Sequence, residues 1–175
     1  MMTREQFGEL LAERGLSGPA VEVGVYYGDY AEIILSWGVE KLYLVDLWAH
    51  VPDGKAELAQ SDEEFQEILE SCLERLTDDL ERVVVLRGFS VEMASRIPDD
   101  SCDFIFIDAS HDGVSVDADL RAYWPKLRSG GILAGHDYHI AGVQTSVNRL
   151  ASEYGMEVHQ APVNEGDISF WCEKP

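Results

Sequence analysis

The sequence predicts a single doubly wound α/β domain over residues 1–175, with a seven-stranded, mostly parallel sheet and an antiparallel C-terminal strand. Three observations predict it. Short apolar strand candidates alternate with segments of helical periodicity, the pattern of parallel strands joined by crossover helices. Two more strand candidates end the sequence with only a short polar connection between them, which demands an antiparallel neighbour. No repeat, low-complexity tract or linker interrupts this order, and 175 residues is the size of one domain.

The elements follow in order. Thr3-x-x-Gln6 is a capping box before Phe7, Leu10 and Leu11, giving a first helix that stops at Gly15. Residues 20–25 form a first strand, interrupted only by Glu22. Gly28 opens a helix through Trp37 with Tyr30, Ile33, Ile34 and Trp37 on one face and Gly38 as its stop. Residues 41–47 are a second strand, followed by a loop with Pro52, Asp53 and Gly54. Ser61-x-x-Glu64 caps a helix carrying Phe65, Ile68, Leu69, Cys72 and Leu76. Residues 83–86, purely apolar, read as a buried third strand, and a short helix over 91–97 follows. A buried fourth strand spans 103–107. Val116, Leu120, Tyr123 and Leu127 then recur at helical spacing, with Pro125 ending or kinking that helix. Gly130-Gly131 reads as a turn before a fifth strand at 132–134. Val143, Val147, Leu150 and Tyr154 mark the last helix. The closing strands lie at 157–160 and 168–173, separated by a polar loop with Gly166 and Asp167.

Composition narrows the function classes. Hydrophobic residues make up 46% and charged residues 26%, an ordinary globular balance. No apolar run reaches bilayer-spanning length and the first residues are polar, so neither a membrane span nor a secretory signal is expected. Cys72, Cys102 and Cys172 are odd in number and lack C-x-x-C spacing, which points to buried, reduced packing residues and, by default, a cytoplasmic location. The formal net charge of −20 repels a phosphate backbone and an anionic bilayer, so nucleic acid and membrane are not expected partners. Much of that charge sits between Asp62 and Glu81, as a solvated helix face.

Ligands of open α/β sheets sit at the carboxyl ends of the strands. The first strand ends in Val21-Glu22-Val23-Gly24-Val25-Tyr26-Tyr27-Gly28. Gly24 and Gly28 permit a tight turn and a close approach to a ligand. Their G-x-x-x-G spacing differs from the G-x-G-x-x-G fingerprint that aims a helix N-terminus at a diphosphate. Asp46 ends the second strand, where a carboxylate accepts hydrogen bonds from ribose hydroxyls. The blander alternative is glycines that serve the turn alone and an Asp46 exposed in a loop.

Val-Glu-Val-Gly-x-x-x-Gly at the first strand, Val-Asp at the second, Phe-Ile-Asp-Ala-Ser-His-Asp at the fourth and Leu-Arg-Ser-Gly-Gly-Ile-Leu-Ala-Gly-His-Asp-Tyr at the fifth resemble class I S-adenosylmethionine (SAM)-dependent methyltransferases, with their Rossmann-like fold. More narrowly, they resemble the bacterial group of macrolide-sugar O-methyltransferases and, more distantly, the catechol-type enzymes. The resemblance implies that Glu22 and Gly24 lie near the methionine moiety and that Asp46 holds the ribose. It also implies that Gly88, Phe89 and Ser90 flank the adenine and that Asp108 faces the methyl-transfer site. The chain is shorter than the macrolide enzymes, so their acceptor recognition does not carry over.

The fourth strand ends in Asp108-Ala109-Ser110-His111-Asp112 and the fifth in His136-Asp137-Tyr138-His139, both opening on one rim. The resemblance implies that Asp108, His136 and Asp137 bind a divalent ion, Mg²⁺ or Mn²⁺, and that His111, three residues after Asp108, is the general base. A divalent ion lowers the pKa of a bound hydroxyl and a nearby base takes its proton. His136 departs from the usual acid or amide. Imidazole suits Mn²⁺ and softer ions better than Mg²⁺. Asp112 and His139 are close enough in sequence to substitute as ligands. Asp108 also faces the cofactor in metal-free enzymes of this class, and both histidines could be ordinary loop residues. Glu165, Asp167 and His159 read as surface residues. The acceptor is expected to be a small hydroxylated molecule, with the loop 48–61 (Trp48, His50, Pro52) and the segment 138–142 assigned to its pocket by position. A SAM-binding module without catalysis is the alternative, and a nucleotide-dependent oxidoreductase is disfavoured by the missing fingerprint.

Overall fold

The computed structural model describes residues 3–51, 60–164 and 167–175. The expected loop residues Pro52, Asp53 and Gly54, and Glu165 with Gly166, lie outside the described residues.

The first helix, α1 (Phe7–Glu13), follows a 3₁₀ turn in which the Thr3 N–H donates to the Gln6 side chain at 3.0 Å. Strand β1 (Ala20–Val23) leads through Gly28 into α2 (Asp29–Ser36), and β2 (Leu42–Asp46) precedes α3 (Asp62–Arg75). The Ser61–Glu64 capping box forms in both directions, at 2.7 and 3.2 Å. Strand β3 (Val83–Arg87) and the short α4 (Ser90–Met93) come next, then β4 (Cys102–Ile107), α5 (Gly113–Tyr123) and β5 (Leu127–Gly135). Helix α6 (Ala141–Tyr154), β6 (His159–Asn164) and β7 (Asp167–Glu173) complete the fold. The seven strands take the order β3-β2-β1-β4-β5-β7-β6. Only β7 runs against its neighbours, pairing antiparallel with β5 and β6.

Alternation along the strands sends side chains to two cores. Ala20, Leu44, Phe104 and Phe106 pack with Phe7, Ile34, Phe65 and Cys72 under α1–α3. Val21, Val23, Ile105 and Leu133 pack with Leu120, Tyr123, Val147 and Leu150 under α4–α6. All three cysteines are free and buried. Among the described residues, no helix is long and apolar enough to cross a membrane.

Three sequence expectations need correction. The strand read as buried, 83–86, is the edge strand β3, and Val85 is 36% exposed because only β2 flanks it. Gly130-Gly131 is no turn: it lies within β5 as a bulge, between the Cys102–Leu127 and Phe104–Ile132 pairs. Backbone bonds to Lys174 at 2.8 and 2.9 Å hold it in the sheet. Helix α2 ends at Ser36, and the face it buries is Tyr30, Ala31, Ile34 and Leu35, leaving Ile33 and Trp37 half-buried.

The register positions the site. Val23 pairs with Val45 and with Ile107, and Ile107 pairs with Gly135, so Asp46, Gly24, Asp108 and His136 follow one another across the carboxyl rim. Gly24 has φ +89°, and a Cβ there would lie 2.1 Å from the Asp108 carbonyl oxygen. The close approach that requires a glycine is therefore to the end of β4. At Gly28 (φ +77°) the approach is to α3, where a Cβ would lie 2.6 Å from the Cys72 sulfur.

This separates two costs. Gly38 has a similar φ of +79° but open space around its Cα. Gly38→Ala should cost about 1–2 kcal/mol, the penalty of a left-handed L-residue. Gly24→Ala adds a backbone collision and should cost clearly more. Equal denaturant midpoints for the two variants would show that the contact with Asp108 carries no weight.

Candidate active site

The loop after β1 is shaped by one carboxylate. Asp46 Oδ2 accepts the backbone N–H groups of Val25 and Tyr26 at 2.8 and 2.9 Å, and Oδ1 accepts that of Trp48 at 3.0 Å. Tyr26 and Trp48 both adopt left-handed backbone, at φ 52° and 40°. That is unusual for bulky residues and costs about 1–2 kcal/mol each. Hydrogen bonds to a charged acceptor contribute about 1.5–3 kcal/mol each, enough to hold both. Trp48 is fully buried and its indole N–H donates to the Tyr26 carbonyl at 3.0 Å, while Arg87 donates to the Trp48 carbonyl at 2.5 Å. Asp46 thus spends most of its accepting capacity on backbone. What is left for a ribose lies on Oδ1.

Above this loop opens a cleft of about 690 Å³. Glu22, Gly24, Asp46, Phe89, Ser90 and Asp108 all line it, as do Trp48 and the half-buried Ile33. Glu22 is 2% exposed and its Oε2 has no hydrogen-bond partner among the described residues. Burial first, then the charges of Asp108 and Asp46, push its carboxyl well above the usual range. Phe89 is 56% exposed at the mouth. Ser90 is fixed from behind. Its hydroxyl donates to Asp119 on α5 at 2.5 Å and its carbonyl accepts from the Tyr123 hydroxyl at 2.8 Å.

The fourth and fifth strand ends meet at one edge of this cleft. His111 Nε2 lies 2.7 Å from Asp137 Oδ2. His136 Nδ1 lies 3.3 Å from the same oxygen and 3.6 Å from Asp108 Oδ1, while its Nε2 faces Asp167 Oδ2 at 3.1 Å. Burial pushes the Asp108 carboxyl up to about 6, with His136 opposing and Asp137 adding to the rise. Two sets of side chains are close enough to share an ion: Asp108, His111 and Asp137, and His136, Asp137 and Asp167. The expected ligands Asp108, His136 and Asp137 are brought together pairwise but fall into different sets, joined by Asp137. The expected base His111 sits in the first.

Asp167 is the functional candidate that the surface reading missed. It opens β7, and an antiparallel strand starts on the rim where the parallel strands end. The expected antiparallel closing strand contained that signal. His139 also reaches this group, 3.6 Å from Asp167 and 3.9 Å from Asp137. Asp112 instead caps α5, accepting from the Val114 and Ser115 N–H groups at 3.1 Å; hydrogen bonds from the Ser115 side chain, the Ser115 backbone and the Ser110 hydroxyl lower its carboxyl to about 2. Of the positions assigned to the acceptor pocket, Trp48 lines the cleft and His50 is exposed, bonding to Gln60 and Asp62. Pro52 lies outside the described residues. Among the described residues, 138–142 contribute nothing to the cleft lining; Tyr138 packs on Phe170 and donates to Asn148. His159 stacks on Trp171, ring centroids 4.1 Å apart. Arg4, at the cleft edge, was also missed, and no local pattern marks it.

Residues 21–138 match the family model described as a methyltransferase domain. No curated protein matches the sequence. Among solved structures, the O-methyltransferase from Bacillus cereus in complex with S-adenosylhomocysteine (SAH) superposes with a TM-score of 0.68 at 18% identity, over 97% of this chain and 80% of that one. The O-methyltransferase NovP gives 0.70 at 17% identity, over 97% and 77%. The O-methyltransferase TomG from Streptomyces achromogenes, in complex with SAM, gives 0.68 at 10% identity, over 98% and 79%. At these identities the likeness establishes the shared fold.

The Asp119 carboxyl behind Ser90 gives a pH test. It is 2% exposed, and burial lifts it from an ordinary 3.8 to about 6, against the bond from Ser90. Below about pH 4 both folded and unfolded chains hold the proton. As pH rises through this interval the unfolded chain releases it first, so stability falls, and the full cost of about 3 kcal/mol stands above pH 6. Asp119→Asn should therefore lose less stability than wild type between pH 4 and pH 8 in denaturant titrations. Parallel profiles for the two proteins would rule Asp119 out as the source.

Proposed function

The chain belongs to the methyltransferase domain family, and we propose that it transfers a methyl group from SAM to the hydroxyl of a small acceptor, assisted by a divalent ion. One observation carries this reading. Asp108, Ser110 and His111 line both the large cleft and the small pocket that holds His136 and Asp137. A cofactor site and a proton- or ion-handling site therefore share a wall.

The side chains fit both absent groups. The unpartnered Glu22 Oε2 inside the cleft suits an ammonium, and exposed Phe89 suits a nucleobase face. The mixed oxygen and imidazole donors of the rim suit Mn²⁺ at least as well as Mg²⁺. When bound, SAM supplies an electrophilic methyl group and the ion supplies Lewis acidity toward a hydroxyl. The chain's own residues do the rest. Asp46 holds the loop and offers Oδ1 to the ribose; Gly24 lets that loop lie against β4. Asp137, common to both sets, would hold the ion, with Asp108 and His136 converging on it from the ends of the fourth and fifth strands. Asp167 Oδ2 lies 3.1 Å from His136 Nε2, without hydrogen-bond geometry, and the opposite ring nitrogen faces Asp108 and Asp137. His111, oriented by Asp137, accepts the proton of the acceptor hydroxyl.

SAH should raise the melting temperature by linkage and NAD should not. Failure of SAH to stabilise the chain would sink the cofactor assignment. Turnover of SAM over a panel of hydroxyl compounds should stop in chelator and return with Mn²⁺; full activity after exhaustive chelation rejects the ion and leaves the cofactor standing. His111→Ala should lower kcat by about 10²–10⁴-fold with SAH affinity unchanged, because a base acts only in the transition state. Unchanged kcat removes His111 from the mechanism, and binding without any turnover marks a module that holds SAM without using it.

A further inference from the structure

The cleft is rich in carboxylates, with Glu22, Asp29, Asp46 and Asp108 on its walls. Arg4 is the one lysine or arginine among its described lining residues. Arg4 is held in position from two sides. Its carbonyl accepts from the Tyr30 hydroxyl at 3.0 Å, and its guanidinium lies 5.2 Å over the Tyr30 ring. That ring in turn packs 4.3 Å from Phe106 on β4, one residue-pair from the end of the strand that presents Asp108. The side chain of Arg4 is 25% exposed, and its ion pair, to Glu5, is long at 3.4 Å with a half-exposed partner. Such a pair is worth little.

Resting on the SAM reading above, we propose that Arg4 binds the carboxylate of the cofactor's amino-acid end. That end is a zwitterion. Glu22 Oε2, buried in the cleft and without a partner among the described residues, is suited to its ammonium. The carboxylate sits on the same carbon as that ammonium, so it enters a region walled by Glu22 and Asp108. Like charges at such range disfavour it, and the backbone amides of the loop are partly occupied by Asp46. A guanidinium supplies what the carboxylate lacks, a positive charge and a planar fork of donors. Electrostatic reach agrees with this placement. Burial and then the Asp108 and Asp46 charges raise the Glu22 carboxyl, and Arg4 opposes that rise; it opposes the rises at Asp108 and Tyr30 as well.

The test is a calorimetric titration of the full chain with two ligands: SAH, and S-adenosyl-3-thiopropylamine, the same molecule without its carboxylate. Wild type should bind SAH on the order of ten- to a hundredfold more tightly, the range of a charge-assisted hydrogen bond. Arg4→Gln should lose a factor of that order for SAH and stay within about twofold for the decarboxylated ligand, and Arg4→Lys should fall between. Equal losses for both ligands would mean that Arg4 only shapes the N-terminal turn, and undiminished SAH binding would take it out of the site. If Arg4→Gln does not fold, equal wild-type affinity for the two ligands overturns the proposal by itself. Wild type that bound neither ligand would instead overturn the cofactor reading on which it rests.

Discussion

The site depends on the Asp46 carboxylate. It is anchored at the end of β2, between β1 and β3, and it reaches sideways to the backbone of the neighbouring strand's loop. Without it, Val25, Tyr26 and Trp48 would present unpaired N–H groups, and the left-handed conformations of Tyr26 and Trp48 would lose the charged acceptor that offsets them. Trp48 shows how firmly the arrangement is specified. Its N–H, its carbonyl and its indole N–H all have partners, and its ring is sealed in the core. A strained residue persists where its surroundings leave it no alternative, and such residues gather at functional sites.

The same strand ends concentrate negative charge. Glu22, Asp46, Asp108, Asp137 and Asp167 lie along one rim, partly or wholly buried. Bringing carboxylates together out of water is unfavourable unless positive groups join them. His111 and His136 lie among these carboxylates, within 2.7 to 3.6 Å of Asp108, Asp137 and Asp167. The Glu22 and Asp108 carboxyls respond by holding their protons to higher pH, burial being the main cause at both. A rim of this kind favours ligands that carry positive charge, which describes a sulfonium, an ammonium and a divalent ion equally well.

Asp119 extends the pattern away from the rim. It is buried behind the cleft wall, where its bond to Ser90, together with that from Tyr123, ties the start of α4 to α5. The helix layer on that face therefore does more than cover the sheet: it fixes a residue that looks into the cleft.

Periodicity and end signals in the sequence determined most of the fold. Strand and helix patterns are local, and the capping boxes at Thr3 and Ser61 and the stop at Gly15 act over a few residues. The glycine loop, Asp46, Asp108 and the His-Asp pairs were legible for the same reason, because strand-end residues of an α/β sheet share one rim by topology. What the sequence did not hold was anything that depends on neighbours distant in the chain. Val83 to Leu86 is apolar enough for a central strand, and only the sheet order makes it an edge. Gly130 and Gly131 look like a turn until Lys174, from the far end of the chain, pairs with them. Asp167 reads as a loop acid because its partner, His136, arrives through the β5–β7 pairing. Arg4 carries no pattern of its own, and its place beside Tyr30 and Glu22 was decided when α1 and α2 packed on one face of the sheet. Local propensity and binary pattern select the elements; which charges face each other across the cleft is set by long-range packing, which no window of sequence contains.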